Sequence, residues 1–193
     1  CPTLNEKQEH AIRTALTQRI SLISGGAGVG KSFCVSVIDA ICETLELKVA
    51  LTAPTGKAAK RLEELSGREA KTIHRLLGYD GNTFAKGPDD PIDADVLIVD
   101  EVSMVDVTLA WHLFQAVDIS RTSVVLVGDH NQLPPVGPGN ILRDLIQTRA
   151  VPTTILDECV RQAGVLKENS TAILTGQVNK TSDKHPDGRC DWY

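Results

Sequence analysis

The sequence predicts an α/β fold in which helices cover both faces of a doubly wound, mainly parallel sheet. Short apolar runs alternate with longer stretches whose apolar residues recur at helical spacing, which indicates strands alternating with helices. The runs are continuous, as is typical of strands buried on both faces, and the helices between them supply the crossovers that parallel strands need. With 193 residues, of which 41% are hydrophobic, the chain can bury such a core within one domain.

The predicted elements follow one another in a regular order. A capping box of the form T-x-x-E at Thr3 predicts a short first helix. A strand at 20–24 then ends in a glycine pair, and a helix of regular apolar period follows it. Further strands and helices are predicted at 49–53 and 57–66, 96–99 and 105–117, and 124–127 and 140–148, with a last strand at 154–156. Residues 78–95 are predicted to form a long loop or an extended hairpin.

Composition and charge exclude several classes of protein. A net charge of -5 argues against a general nucleic-acid coat protein, so a nucleic-acid contact requires a local basic patch. The five cysteines are widely spaced and form no C-x-x-C pair, which argues against a disulfide framework or a zinc site. No apolar run is long enough to span a membrane, so we expect no membrane partner and a cytoplasmic location.

A glycine-rich segment follows the first predicted strand. Residues 25–32 have the sequence GGAGVGKS, which satisfies the phosphate-loop pattern G-x-x-x-x-G-K-[ST] between a strand and a helix. Backbone amides of such a loop and the helix N-terminus attract phosphate oxygens, Lys31 reaches the β and γ phosphates, and Ser32 can bind Mg²⁺. A chance glycine turn is the alternative. The predicted nucleotide-binding residues are Gly25, Gly26, Ala27, Gly28, Val29, Gly30, Lys31 and Ser32.

Polar side chains follow the two later central strands. Asp100 and Glu101 end the strand at 96–99, where buried carboxylates without partners are costly. We expect Asp100 to hold Mg²⁺ through its outer shell and Glu101 to orient and deprotonate the attacking water. Helix-capping acids are the alternative. Gln132, in the segment 128–139 after the next strand, is a candidate sensor of the γ phosphate, unless that proline- and glycine-rich segment is simply a rigid turn.

One stretch is basic in this acidic chain. Between residues 56 and 75 the local charge is positive, and the stretch begins directly after the second predicted strand. Lysine and arginine neutralise nucleic-acid phosphates, while hydroxyls fix the register. An ordinary solvated helix face is the alternative. The candidates for binding are Lys57 and Arg75, with Thr55, Thr72 and His74 as neutral hydrogen-bond donors.

These motifs together resemble those of the superfamily 1 DNA helicases, specifically of the RecD-like group related to the exodeoxyribonuclease V alpha subunit, over residues 3–163. The motifs occur in the order typical of the family. Residues 4–8 resemble the adenine-reading Q motif, which implies that Gln8 contacts the base. The phosphate loop, residues 100–104 and residues 128–139 resemble motifs I, II and III.

Three further segments extend the resemblance. Residues 53–59 resemble motif Ia, a contact to single-stranded DNA, which adds Pro54 to the DNA-binding candidates. Residues 72–77 resemble the next segment that touches DNA. Residues 156–163 resemble motif IV, whose arginine, here Arg161, is implied to touch the γ phosphate.

The resemblance implies a RecA-like P-loop NTPase fold. It assigns residues 1–163 to an ATP-binding motor domain and residues 164–193 to a polar connecting segment toward a second RecA-like domain, which is absent from this sequence. We therefore expect the first motor domain of an ATP-dependent 5′ to 3′ DNA helicase of recombination or repair, with ATP and Mg²⁺ as cofactors. The catalytic residues would be Lys31, Glu101, Gln132 and Arg161.

The expected partners are single-stranded DNA, the second RecA-like domain of the same protein, and nuclease or recombination subunits. Two other functions remain open. The chain could act as a nucleotide-dependent clamp on single-stranded DNA with little turnover of its own. It could also be a small P-loop kinase, which shares the chemistry of Lys31 and Ser32 but should carry a lid and an acceptor pocket instead of Gln132 and its proline segment.

Overall fold

The computed structural model of the chain describes residues 4–158. Six helices, six strands and one short 3-10 turn alternate along this part of the chain. Their bounds are α1 Glu6–Thr17, β1 Ile20–Gly25, α2 Lys31–Thr44, β2 Val49–Ala53, α3 Gly56–Ser66, β3 Ala70–Thr72, α4 Ile73–Leu76, β4 Val96–Val99, the 3-10 turn Val102–Met104, α5 Val107–Gln115, β5 Ser123–Gly128, α6 Ile141–Thr148 and β6 Thr153–Leu156.

All six strands lie in one parallel sheet, in the order β3-β2-β4-β5-β1-β6. The predicted α/β class and the predicted parallel sheet are therefore confirmed. Strand β5 is inserted between β1 and β4, since Leu22 of β1 faces Leu126 and Val99 of β4 faces the same residue from the other side. The carboxyl ends of β1, β5 and β4 consequently meet at one edge of the sheet.

Side chains that alternate along the strands build a core on each face of the sheet. Ile23 and Ile98 pack in one cluster with residues of α1, α2 and α3. Leu22 and Leu97, each one position earlier, pack in the other cluster with residues of α4, α5 and α6. The continuous apolar runs predicted strands that are buried on both faces, and the two clusters confirm this interpretation.

The predicted capping box of α1 is wrong in its position. Asn5 is the N-cap, and its side chain accepts a hydrogen bond from the Gln8 backbone amide at 2.8 Å. The Gln8 side chain accepts one from the Asn5 amide at 3.2 Å, which completes the box. Asn followed by Gln three residues later satisfies the amides at the N-cap and at the third helical residue, as T-x-x-E does. Both patterns in this segment could therefore begin the helix.

Two short elements were not predicted from the sequence. The three-residue strand β3 pairs in parallel with β2, Ala53 facing Thr72, and extends the sheet at one edge. Helix α4 follows at once, and the Thr72 hydroxyl accepts a hydrogen bond from the Arg75 amide at 3.2 Å as its cap. Strand β3 is too short, and its side chains too evenly half-buried, to give a periodic signal.

Residues 78–95 form a long loop, which is one of the two predicted alternatives. The loop contains two isolated antiparallel bridges, Tyr79 to Phe84 and Gly87 to Asp90. No helix among residues 4–158 is long and apolar enough to cross a membrane.

Candidate functional site

The phosphate loop connects β1 to α2 at the carboxyl edge of the sheet. Gly28 and Gly30 have φ values of 79° and 95°, in the left-handed region that glycine occupies without steric cost. The Lys31 ammonium donates hydrogen bonds to the carbonyl oxygens of Gly25 at 2.6 Å and Gly26 at 2.8 Å. The lysine side chain thus lies back across its own loop, with its charge bonded to two loop carbonyls.

Two carboxylates follow β4 at the same edge. The Glu101 amide donates a hydrogen bond to Asp100 Oδ1 at 2.8 Å, and Glu101 itself has φ 53°, which is uncommon for a residue other than glycine. Neither side chain caps the 3-10 turn that follows, because that turn has no side-chain cap hydrogen bond. The helix-capping alternative is therefore wrong.

Burial and charge act against one another on the titratable groups here. Burial raises the pKa of the Asp100 carboxyl, the neighbouring Glu101 carboxylate raises it further, and Lys31 opposes both. Burial lowers the pKa of Lys31, while Asp129, Glu101 and Asp100 oppose that shift. A site that buries acids beside a lysine is most stable when further charges, such as phosphates and a cation, complete it.

The segment that follows the inserted strand β5 contributes Asp129 and Gln132, which lie between the phosphate loop and the acids. Asp129 is buried, 6% exposed, and its carboxylate accepts a hydrogen bond from the Asn131 amide at 2.9 Å. The Gln132 amide nitrogen donates to Glu101 Oε2 at 3.3 Å, and its oxygen accepts from the Ser103 hydroxyl at 3.1 Å. Gln132 is therefore connected to the carboxylate that sequence analysis gave the role of a base.

One cavity brings these side chains together. The backbone of the phosphate loop forms one wall, and the side chains that line the rest are Lys31, Ser32, Arg61, Asp100, Glu101, Asp129 and Gln132. Five of these seven were predicted from the sequence, whereas Asp129 and Arg61 were not. Asp129 directly follows a strand end, which was a usable signal, whereas nothing in the sequence distinguishes Arg61 from the other basic residues of its stretch.

The donor set of the cavity fits Mg²⁺. Among residues 4–158 no cluster of three or more His, Cys, Asp or Glu side chains could hold a metal ion. Magnesium in nucleotide sites, however, takes only one or two protein oxygens and completes its shell with phosphates and water. The Ser32 hydroxyl makes no side-chain hydrogen bond within the described residues, and the Asp100 carboxyl is held in the same cavity.

Gln8 lies behind the phosphate loop and outside the cavity lining. Its side chain is 3% exposed, and its amide nitrogen donates a hydrogen bond to the Val29 carbonyl oxygen at 3.2 Å. Together with the capping box this bond connects the first turn of α1 to the loop. The contact between Gln8 and an adenine base stays a prediction.

Comparison with known proteins places the chain in a family. A family model described as an AAA domain matches residues 8–138. The ATP-dependent RecD2 DNA helicase of Deinococcus radiodurans is 41% identical over 183 residues, which are 94% of this chain and 25% of that protein. The chain belongs to the AAA domain family, in its RecD-like helicase group. The RecBCD enzyme subunit RecD of Mycolicibacterium smegmatis is 37% identical over 168 residues, 74% of this chain and 30% of that protein.

This RecD-like chain therefore spans about a quarter to a third of the length of these relatives. Solved structures confirm its fold. The Pif1 helicase of Candida albicans matches with a TM-score of 0.69 at 23% identity, over 93% of this chain and 46% of that one. Bacteroides Pif1 bound to single-stranded DNA matches with a TM-score of 0.60 at 22% identity, over 93% of this chain and 48% of that one. The RecA-like fold prediction is confirmed, and the kinase alternative loses its support.

The DNA-binding candidates of the RecD-like chain lie at the carboxyl ends of β2 and β3. Pro54 and Thr55 follow β2, and Thr72 ends β3, so the pairing of the two strands puts both segments at one edge of the sheet. Thr55 caps α3 by accepting a hydrogen bond from the Ala58 amide at 3.2 Å. Both threonine hydroxyls thus accept cap bonds and keep their protons free to donate. Lys57, His74 and Arg75 are exposed.

Sequence analysis missed a cluster of aromatic rings beside these candidates. His74 packs edge to face on Tyr79 with centroids 5.4 Å apart, and Tyr79 lies 4.8 Å from Phe84. Phe84 lies 4.3 Å from His112, which in turn lies 4.8 Å from Trp111 on α5. Aromatic residues make up only 4% of the chain. The rings come from three separate segments, so the cluster has no sequence signature.

Arg161, the last predicted catalytic residue, and the predicted boundary at residue 163 lie outside the described residues, as does the whole segment 164–193.

Proposed function

We propose that this chain binds ATP and hydrolyses it in response to single-stranded DNA, as the first motor domain of an ATP-dependent DNA helicase. The observation that carries the proposal is the single cavity in which Lys31 and Ser32 of the phosphate loop face Asp100, Glu101 and Gln132. The phosphate loop, the two acids and Gln132 follow three neighbouring strands of the sheet. This is the arrangement that positioning and charge stabilisation in phosphoryl transfer require.

Each side chain has a distinct part in the proposed reaction. The Lys31 ammonium exchanges its two loop carbonyls for the β and γ phosphate oxygens of the nucleotide. Glu101 accepts the proton of the attacking water, and Gln132, already bonded to Glu101, responds to the γ phosphate. Ser32 and Asp100 would hold Mg²⁺, which would neutralise phosphate charge. Arg161 is proposed as a further γ-phosphate contact on the strength of the family resemblance.

The DNA track is proposed at the carboxyl ends of β2 and β3, beside the nucleotide cavity. Lys57 and Arg75 supply positive charge there, and the exposed rings of Tyr79 and Trp111 offer faces on which bases stack. Thr55, Thr72 and Pro54 would fix the path of the backbone, with His74 between the charges and the rings. The single-stranded DNA bound by Bacteroides Pif1, which shares the fold, supports this class of ligand.

The parent activity is proposed in coarser terms. The names of the relatives, an ATP-dependent DNA helicase and RecBCD enzyme subunits, support a role in unwinding within recombination or repair, with nuclease or recombination subunits as partners. A second RecA-like domain of the same protein would close the other side of the nucleotide cleft. The 5′ to 3′ direction and a cytoplasmic location rest on the family resemblance and the composition.

Two substitutions test the nucleotide site. Lys31→Ala should weaken binding of a fluorescent ATP analogue, because Lys31 meets charge that is already present in the bound ground state. Glu101→Gln should leave binding nearly unchanged and remove hydrolysis, because Glu101 acts on the water in the transition state. Lys48→Ala and Glu9→Gln, both exposed and away from the cavity, are the matched controls. Equal loss of binding in both site variants would contradict the assigned roles.

Single-stranded DNA tests the rest of the proposal. Hydrolysis by the wild-type chain should rise when single-stranded DNA is added, and DNA binding without any rise would favour the clamp alternative. Replacing Lys57 and Arg75 with glutamate should flatten the slope of log affinity against log salt by roughly 1.4, since each lost phosphate contact on a single strand contributes about 0.7. Lys48→Glu is the control, and an unchanged slope in the double variant would move the DNA track elsewhere.

A further inference from the structure

Arg61 lines the nucleotide cavity but lies outside the motifs and has no part in the proposed reaction. It shares the cavity with Lys31, Ser32, Asp100 and Glu101, although it belongs to α3, whose first residues overlap the segment 53–59 that resembles a DNA contact. Its charge is therefore close to the site where the phosphates of a nucleotide would lie.

The fold explains how a residue of α3 reaches this cavity. The helix begins at Gly56, directly beyond the carboxyl end of β2, and its buried residues Ala59 and Leu62 fix its rotation against the core. Side chains in a helix lean toward its N-terminus. Arg61, just over one turn inside α3, therefore leans back toward the edge of the sheet where the phosphate loop and the acids of β4 meet.

Arg61 has no partner of its own in the described part of the chain. Among residues 4–158, two other arginines form ion pairs, Arg13 with Glu9 and Arg68 with Asp39, whereas Arg61 forms neither an ion pair nor a side-chain hydrogen bond. Its neighbour one turn earlier is the like-charged Lys57, an unfavourable pairing on an isolated helix. A free guanidinium beside the Lys31 ammonium suits a ligand with several negative oxygens, which arginine binds with two parallel hydrogen bonds.

We propose that Arg61 donates hydrogen bonds to the terminal phosphate of bound ATP. The proposal deepens the proposed function, since it rests on ATP occupying this cavity. In the phosphate-loop pattern the backbone amides bind the inner phosphates, which would leave the side lined by Arg61, Asp100 and Glu101 for the γ phosphate. Arg61 would then distinguish ATP from ADP from within this domain, and it would lose its ligand once the γ phosphate leaves.

The test compares a non-hydrolysable ATP analogue with ADP. Affinities for both are measured with Mg²⁺ on the 193-residue chain, as wild type, Arg61→Ala, Arg61→Lys and the control Arg13→Ala. Arg61→Ala should lose roughly tenfold or more in affinity for the triphosphate analogue, as the loss of a charge-assisted hydrogen bond implies, and change less than about twofold for ADP. Arg61→Lys should recover part of the loss, because it keeps the charge without the planar fork. Arg13→Ala should match the wild type.

The other outcomes of this experiment contradict either the proposed contact of Arg61 or the proposed function. Wild-type affinity for the analogue in Arg61→Ala overturns the proposal. An equal loss for the analogue and for ADP overturns the contact with the terminal phosphate and assigns Arg61 to an inner one. Circular dichroism and thermal unfolding of each variant exclude a folding defect, which is not expected because Arg61 is exposed. A wild-type chain that binds no nucleotide overturns the proposed function together with this proposal. If the wild-type chain binds the analogue and Arg61→Ala binds it with the same affinity, this proposal alone is overturned.

Discussion

Replacing Gln8 with alanine tests the link between the first helix and the phosphate loop. The Gln8 side chain makes two hydrogen bonds, a partly buried one from the Asn5 amide and a buried one to the Val29 carbonyl oxygen, each 3.2 Å long. Alanine removes both bonds and leaves the Asn5 amide and the Val29 carbonyl without these partners. The hydrogen bond from the Gln8 backbone amide to Asn5 Oδ1 does not depend on the Gln8 side chain and is retained.

The expected loss follows from these contacts. Two hydrogen bonds contribute about 2 kcal/mol net, and the buried methylene of a side chain that is 3% exposed contributes about 0.8 kcal/mol. The better helix propensity of alanine offsets a few tenths of this. We expect the free energy of unfolding to fall by about 2.5 kcal/mol. In a chain of 193 residues this lowers Tm by roughly 5 to 10 °C.

Thermal and urea unfolding, followed by circular dichroism, measure this loss. Gln115→Ala, the same substitution at an exposed position of α5, is the control and should change Tm little. A Tm for Gln8→Ala equal to that of the wild type would refute the reasoning, because neither bond could then contribute. Affinities for ATP and GTP separate the two roles of Gln8: loss of loop support weakens both equally, whereas loss of a base contact removes the preference for ATP.

Three further predictions concern other parts of the fold. Arg68→Met removes the ion-pair partner of Asp39, whose side chain is 6% exposed. The free energy of unfolding in urea should fall by about 2 kcal/mol, which is less than for a fully buried pair because Arg68 is 33% exposed. Burial raises the pKa of the Cys34 thiol to about 11, so little thiolate forms near pH 8. Iodoacetamide should therefore label Cys34 slowly until the pH approaches this pKa, which peptide mass spectrometry would measure. Gly25→Ala should lower Tm, because its methyl group would collide with the backbone carbonyl of Leu156.

Matched controls sharpen these three predictions. Arg13→Met breaks an exposed ion pair with Glu9 and should cost less than about 1 kcal/mol, so an equal loss in both variants would contradict the reasoning on burial. Gly56→Ala meets no atom within 4 Å and should be tolerated; a similar Tm for it and for Gly25→Ala would argue against the predicted clash. Rapid labelling of Cys34 in the native chain, as fast as in urea, would show that burial does not protect the thiol.

The fold was predictable wherever a strand is buried on both faces. Strands β1, β2, β4 and β5 have continuous apolar runs, and the structure places each within a residue or two of its prediction. Strand β3 lies at the edge, and its three half-buried residues become a strand only through their pairing with β2. Edge pairing is a tertiary property, which a local pattern does not contain.

The site was predictable to the extent that its residues follow strand ends in sequence. Lys31, Asp100 and Gln132 meet in one cavity because parallel strands bring their carboxyl ends to the same edge. Arg61 comes to that cavity from inside a helix. Its position depends on how α3 packs against the core beside α2, and no local pattern reports that packing.

The order of the strands explains why the phosphate loop and the acids stand apart across the cavity. Neighbouring strands lie about 4.8 Å apart, so the phosphate loop after β1 and the acids after β4, with β5 between them, start roughly 10 Å apart. If β1 and β4 were adjacent, Asp100 would start only one strand spacing away from the loop. The inserted strand opens this gap and places Asp129 and Gln132 at its centre. On the other side, the Asp100 amide donates a hydrogen bond to the Thr52 carbonyl of β2 at 2.9 Å, so the segment that begins at Pro54 starts only one strand away from the acids.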